Sequence, residues 1–175
     1  MGANHTIKPV TSAAQPRPAV LRDRAQILAE GPRVRIDTPS LTGSINLRGA
    51  RFDDLLLKEQ RMTIARNSEP VRLLSPAGAK GAYFASYGWT GEGVRVPGPD
   101  AVWQASAPVL TPGKPVTLSW DNGAGQRFEQ IVSVDQDYLF TVRQRVVNGG
   151  AGAVGLRSYG LISRAEKSPD PTSWT

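Results

Sequence analysis

Residues 35–58, RIDTPSLTGSINLRGARFDDLLLK, decide the fold class. Leu41, Ile45 and Leu47 alternate with Thr42, Ser44 and Asn46, so an extended chain here has one apolar and one polar face, the pattern of a half-buried strand. Arg48-Gly49-Ala50-Arg51 interrupts the alternation, and a glycine between two extended runs supplies the positive φ of a tight turn or bulge. Phe52 to Lys58 then reads as a second strand. Its Leu55, Leu56 and Leu57 break the alternation, which predicts burial on both faces near the middle of a sheet.

Downstream the chain continues as short extended runs separated by turn residues. Val71–Leu74 lies between Pro70 and Pro76, and Lys80–Tyr87 follows. Gly88 to Pro99 holds so many glycines and prolines that a long surface loop is expected. Val116, Leu118 and Trp120 form one strand face, residues 121–125 (DNGAG) turn the chain, and Phe128, Val132 and Val134 return it. Asp135-Gln136-Asp137 makes the next turn. Tyr138, Phe140, Val142 and Val146 then alternate with Leu139, Thr141, Arg143 and Arg145, and Val154 to Ser163 is the last expected strand.

Upstream, residues 1–18 are polar, proline-interrupted and aperiodic, and read as a linker. Residues 19–31 read as a short helix with Leu21, Ala25 and Leu28 on one face and Gly31-Pro32 as the stop. That helix either docks on the strands or rests at a membrane surface. The expected fold is therefore all-β: an antiparallel two-layer β-sandwich over residues 33–175 behind a short N-terminal helix, with a single-sheet barrel as the alternative.

Composition narrows the function classes. A chain of 175 residues can bury one sizeable core, and its 18 glycines and 14 prolines suit many turns. No cysteine is present, and the single histidine, His5, lies in the expected linker, so Ser-His, Cys-His and zinc chemistry lack their side chains. The formal charge of +6 is spread singly along strands and turns, whereas a nucleic-acid track needs clustering, so no nucleic-acid partner is expected. No apolar run reaches the ~18 residues of a membrane helix.

Each motif that suggests chemistry also has a plainer reading. Gly150, Gly152 and Gly155 fit G-x-G-x-x-G, but the segment that follows is strand-like, so a glycine-rich hairpin loop is expected in place of a dinucleotide site. Asp53 and Asp54 are adjacent on a strand, which predicts opposite faces and no shared site. Asp135 and Asp137 flank a turn that their side chains suit. Tyr87, Trp89 and Trp103 bracket the long loop and form the candidate binding surface; the alternative is that Trp103 is core and Trp89 covers it.

Taken in order from about Arg33 to Thr175, the segments TPSLTGSINLRGARFDDLLLK, VRLLSP, GWTGEGVRVPGPDAVWQA, VTLSWDNGAGQRFEQIVSVDQDYLFTV and LRSYGLISR resemble the periplasmic domain of the YidC-type membrane protein insertases. The resemblance implies a sandwich similar to the mutarotase type, on the periplasmic side of the bacterial inner membrane. It implies a non-catalytic part of an insertase, with no cofactor, that helps place the insertase beside the Sec translocon and its SecDF accessory proteins. Nascent membrane proteins would be handled by membrane helices outside this chain. It also implies that the domain continues past Thr175. Missing strands would then have covered part of the face carrying Val116, Leu118, Phe140 and Val142, leaving an exposed apolar patch. The competing class, suggested by Tyr87, Trp89 and Trp103, is a carbohydrate-binding sandwich.

Overall fold

A computed structural model of the chain describes residues 20–65 and 67–165; the expected linker lies outside them. One helix, α1 (Arg24–Leu28), precedes eleven strands: β1 (Arg33–Asp37), β2 (Leu41–Asn46), β3 (Arg51–Arg61), β4 (Pro70–Leu74), β5 (Tyr83–Gly91), β6 (Gln104–Ala105), β7 (Val109–Leu110), β8 (Val116–Asp121), β9 (Gln126–Val134), β10 (Phe140–Asn148) and β11 (Leu156–Arg164). They form two sheets, as expected of a sandwich. The larger runs β11-β5-β3-β2-β1-β7, with β4 also on β3, and the smaller runs β10-β9-β8-β6.

The stretch quoted first supplies the axis of the larger sheet. β2 and β3 form the expected antiparallel hairpin, and its turn places Gly49 at φ 76° and Ala50 at φ 47°. β3 pairs with β2 along one edge and divides its other edge between β5, at Phe52↔Ala85, and β4. Leu55 is buried and Leu56 and Leu57 half-buried, the central-strand position that the leucine run predicted.

Inward-facing Val34, Ile36, Leu41, Ile45, Phe52, Leu55 and Trp89 of the larger sheet share one core with Val116, Leu118, Phe128, Val132 and Val134 of the smaller. Burying each such side chain contributes about 1.5–3 kcal/mol. Two glutamines supplement this packing: Gln130 Nε2 donates to Tyr87 O at 2.8 Å, and Gln144 Nε2 donates to Gly88 O at 2.9 Å. Both bonds run from the smaller sheet to the backbone of β5, and so they fix how one sheet sits on the other.

Several expectations are corrected. β1 and β7 pair in parallel, so the larger sheet is mixed. The predicted loop at 88–99 begins only after Gly91. Gly88 and Gly91 lie inside β5 because β11 covers them: a Cβ on Gly88 would meet the Tyr159 ring at 2.6 Å, and one on Gly91 would meet Leu156 at the same distance. The glycine-rich segment after Asn148 is not a hairpin, since β10 and β11 belong to different sheets and the segment carries the chain between them. Tyr138 and Leu139 remain in the turn before β10, exposed. Asp135 makes that turn as its type predicts, Oδ1 accepting from Asp137 N and Leu139 N at 3.0 Å each.

The face predicted to lie open is closed. Val116 and Leu118 are fully buried, and Phe140 and Val142 pack against the core, because β8 to β10 lie directly over the larger sheet. Exposure falls instead on β11, the edge strand of the larger sheet, which leaves Tyr159, Leu161 and Ile162 in solvent.

Gly43 carries a stability prediction. Its φ is not positive, so ordinary propensity favours alanine there by about 0.5–1 kcal/mol. A Cβ at this position would collide with the Asp54 backbone carbonyl across the β2–β3 pair, an atom that cannot step aside. Gly43→Ala is therefore expected to lower stability by about 1–3 kcal/mol, the cost of overpacking, measured as a fall in the urea midpoint. An equal or higher midpoint would contradict this close approach.

Candidate functional site

Trp89 and Trp103, two of the three residues of the expected binding surface, lie in the core at 5% and 3% exposure. Their rings stack at 6.3 Å and 23°, and Trp89 meets Phe128 of the opposite sheet edge-on at 5.2 Å. Neither indole offers an open face on which a sugar ring could stack. Tyr87 is half-buried and packs its ring edge-on against Phe52 at 5.8 Å. The three are thus near one another as parts of the packing between sheets.

Beside them the outer surface does carry a groove. About 260 Å³ in volume, it is lined by Arg51, Phe84, Pro97, Pro99, Tyr159 and Leu161 among others, with Tyr87 and Trp103 contributing to its wall. Arg51 closes one end, its guanidinium 5.7 Å from the Phe84 ring centroid and its Nη2 3.2 Å from Pro99 O. The exposed part of this surface comes from β11. Sequence reasoning missed Tyr159 and Leu161 because LRSYGLIS was read only as a final strand, with no indication of which neighbour would lie beneath it.

Paired carboxylates are the second candidate. Contrary to the expected opposite faces, Asp53 and Asp54 join one network, because the β2–β3 register slips by one residue between Ser44 and Ile45. Ser44 pairs with Asp54 and Ile45 with Phe52, so Asp53 is the extra residue of a β-bulge, and the alternation rule fails across it. Asp53 binds Arg33, and Asp54 binds Arg24 of α1. Ser44 Oγ links the pairs, accepting from Arg33 Nε at 2.7 Å and donating to Asp54 Oδ2 at 2.7 Å.

Burial is the largest influence on two groups of this cluster, Asp53 and Arg24. It pushes the Asp53 carboxyl above the ordinary aspartate range against the pull of Arg33, and holds the Arg24 guanidinium below its ordinary value against the pull of Asp54. For Asp53 the sign follows from linkage: its contribution to stability is complete below its unfolded pKa and is lost as pH rises through the folded one. Both carboxylates are already held by arginines, which makes the cluster the tie between α1 and the sheet. The helix is anchored by this pair and by buried Ile27, while Leu21, on the face expected to be apolar, is 61% exposed. Among the described residues no group of acidic or histidine side chains is arranged to hold a metal ion.

Comparison with known proteins gives a concordant result. The profile of the family described as the YidC periplasmic domain matches residues 33–175. A membrane protein insertase YidC of Methylobacterium nodulans is 48% identical over 157 residues, 89% of this chain and 26% of that protein. Those of Methylobacterium radiotolerans and Acidiphilium cryptum are each 48% identical, over 81% and 83% of this chain and 23% and 25% of theirs. The chain therefore spans about a quarter of the length of these curated relatives.

Removing one member of the buried network tests its role. Asp54→Ala leaves Arg24 and Ser44 without their acceptor and is expected to cost about 3–5 kcal/mol in urea unfolding. Replacing both partners, Arg24→Met with Asp54→Leu, is expected to restore most of that loss, since the desolvation of two charges is then avoided. A single variant as stable as the wild type would show that the network does not anchor α1.

Proposed function

The chain belongs to the family of YidC periplasmic domains, and from that premise we propose that it is the periplasmic, non-catalytic part of a membrane protein insertase, serving as a docking scaffold. The observation that carries the reading is the 48% identity with a protein named as a membrane protein insertase, maintained over 157 residues. In this role the domain places the insertase beside the Sec translocon and SecDF, while nascent membrane proteins are handled by the membrane-embedded remainder of the protein. Among the described residues no helix is long and apolar enough to cross a membrane. On this reading the membrane attachment comes from elsewhere in the full-length insertase, and the domain works on the periplasmic side of the bacterial inner membrane.

Two structural features support docking. β11 is an edge strand whose outer backbone edge has no partner strand among the described residues, and its Tyr159, Leu161 and Ile162 are exposed. The groove beside it is lined mostly by apolar side chains, suited to an extended segment of another protein.

The test is made in the full-length insertase, purified from membranes with and without residues 33–175. Deletion is expected to reduce recovery of SecDF at least tenfold while the remaining protein still inserts a substrate into the membrane. Undiminished SecDF recovery would overturn the docking role. Loss of insertion by a stably expressed deletion variant would overturn the assignment of insertion to the rest of the protein.

A further inference from the structure

The third surface feature is a pocket at the end of the larger sheet, where β4 leads into β5 and β11 ends. Its volume is about 200 Å³, below the ~300 Å³ at which sites for drug-sized ligands begin, which suits a single compact group. Arg72, Lys80 and Arg164 line it together with Ser75 and Tyr83, and among the described residues no acidic side chain lines it. None of these three cations takes part in an ion pair among the described residues, a state shared with Arg48, Arg51 and Arg95, so what sets them apart is that they line one pocket. Arg164 is positioned by the Tyr83 ring, 5.6 Å from its centroid.

The wall of the pocket is rigid and carries an unsatisfied donor. Ser75 and Tyr83 exchange both backbone hydrogen bonds at 2.9 Å, and Ala165 N donates to Ala82 O at 2.9 Å. Ser75 is only 2% exposed, and its hydroxyl has no hydrogen-bond partner. A buried hydroxyl without a partner costs free energy, and an oxygen acceptor that displaces the atoms covering it would recover that cost. Three cationic residues lining one pocket beside such a donor match an anion with several oxygens. Arginine in particular presents its donors in a fork that fits phosphate oxygens in pairs.

We propose that this pocket binds a phosphate group, held by Arg72, Lys80 and Arg164 with Ser75 in its wall. The group belongs either to free phosphate or to the headgroup of an anionic phospholipid. The site is separate from the groove and from the open edge of β11, and it does not depend on the docking role.

Two measurements test the site. The isotope-labelled chain is titrated with inorganic phosphate against chloride at equal ionic strength, following the amide resonances of Ser75 and of residues 80–83. Vesicle flotation compares phosphatidylglycerol-containing with pure phosphatidylcholine vesicles. Saturable shifts confined to the pocket are expected, with affinity falling at least tenfold in the triple variant Arg72→Gln, Lys80→Gln, Arg164→Gln and severalfold in Ser75→Ala. Arg143→Gln, which removes a charge elsewhere, is expected to bind as the wild type does. Flotation with phosphatidylglycerol that the triple variant loses assigns the group to a lipid headgroup, whereas saturable shifts without flotation assign it to free phosphate. No saturable shift, unchanged affinity in the triple variant or in Ser75→Ala, an equal loss in Arg143→Gln, or tighter binding of polyglutamate than of phosphate would each overturn the proposal.

Discussion

The contact between Trp89 of β5 and Phe128 of β9 is the constraint on which the rest of the structure depends. Each ring belongs to a different sheet, and around them stand Trp103, Trp120 and the fully buried Val116, Leu118 and Val132. The smaller sheet has only four strands, so it can cover the larger only where these side chains interlock. Gln130 and Gln144 complete the attachment at the β5 backbone, next to the same rings. A buried amide is costly where it is not fully bonded, and Gln130 leaves its Oε1 without a partner, so its value lies in selecting one alignment of the sheets over others.

On the opposite face of the larger sheet the organising feature is the bulge at Asp53. A regular β3 would have sent Asp53 and Asp54 to opposite sides, one of them into the core. The extra residue keeps both on the outer face, where Arg33 and Arg24 meet them, while Phe52 and Leu55 on either side remain in the core. Gly43 is the counterpart of the bulge on β2, since only a residue without a side chain tolerates the approach of the Asp54 carbonyl. α1 is too short to be stable alone and owes its place to this network and to Ile27.

Local patterns made much of this legible. The alternation at Leu41 to Leu47, the leucine run of β3, and the β8-β9-β10 meander with its Asn122 and Asp135 turns all follow from period and turn chemistry. Nonlocal facts were not legible. Gly88 resembles a loop glycine until Tyr159 is known to lie over it, and the bulge appears only once β2 and β3 are paired. Gln130 and Gln144 look like solvent-facing residues in any reading of polarity, yet one is fully buried and both point across the sandwich. Trp89 and Trp103 have the composition of a binding surface, and only the position of the second sheet makes them core. The pocket formed by Arg72, Lys80 and Arg164 joins three residues from separate strands and loops, with no local signature at all.

The central claim is that the Trp89 and Trp103 indoles hold the sheets together. Trp89→Ala, followed by urea unfolding and near-ultraviolet circular dichroism, tests it most directly. A loss of about 3–5 kcal/mol is predicted, as for an aromatic ring removed from a core, together with a weakened aromatic signal. A variant with the wild-type urea midpoint would contradict the account, because Trp89 would then not be the contact that joins the sheets.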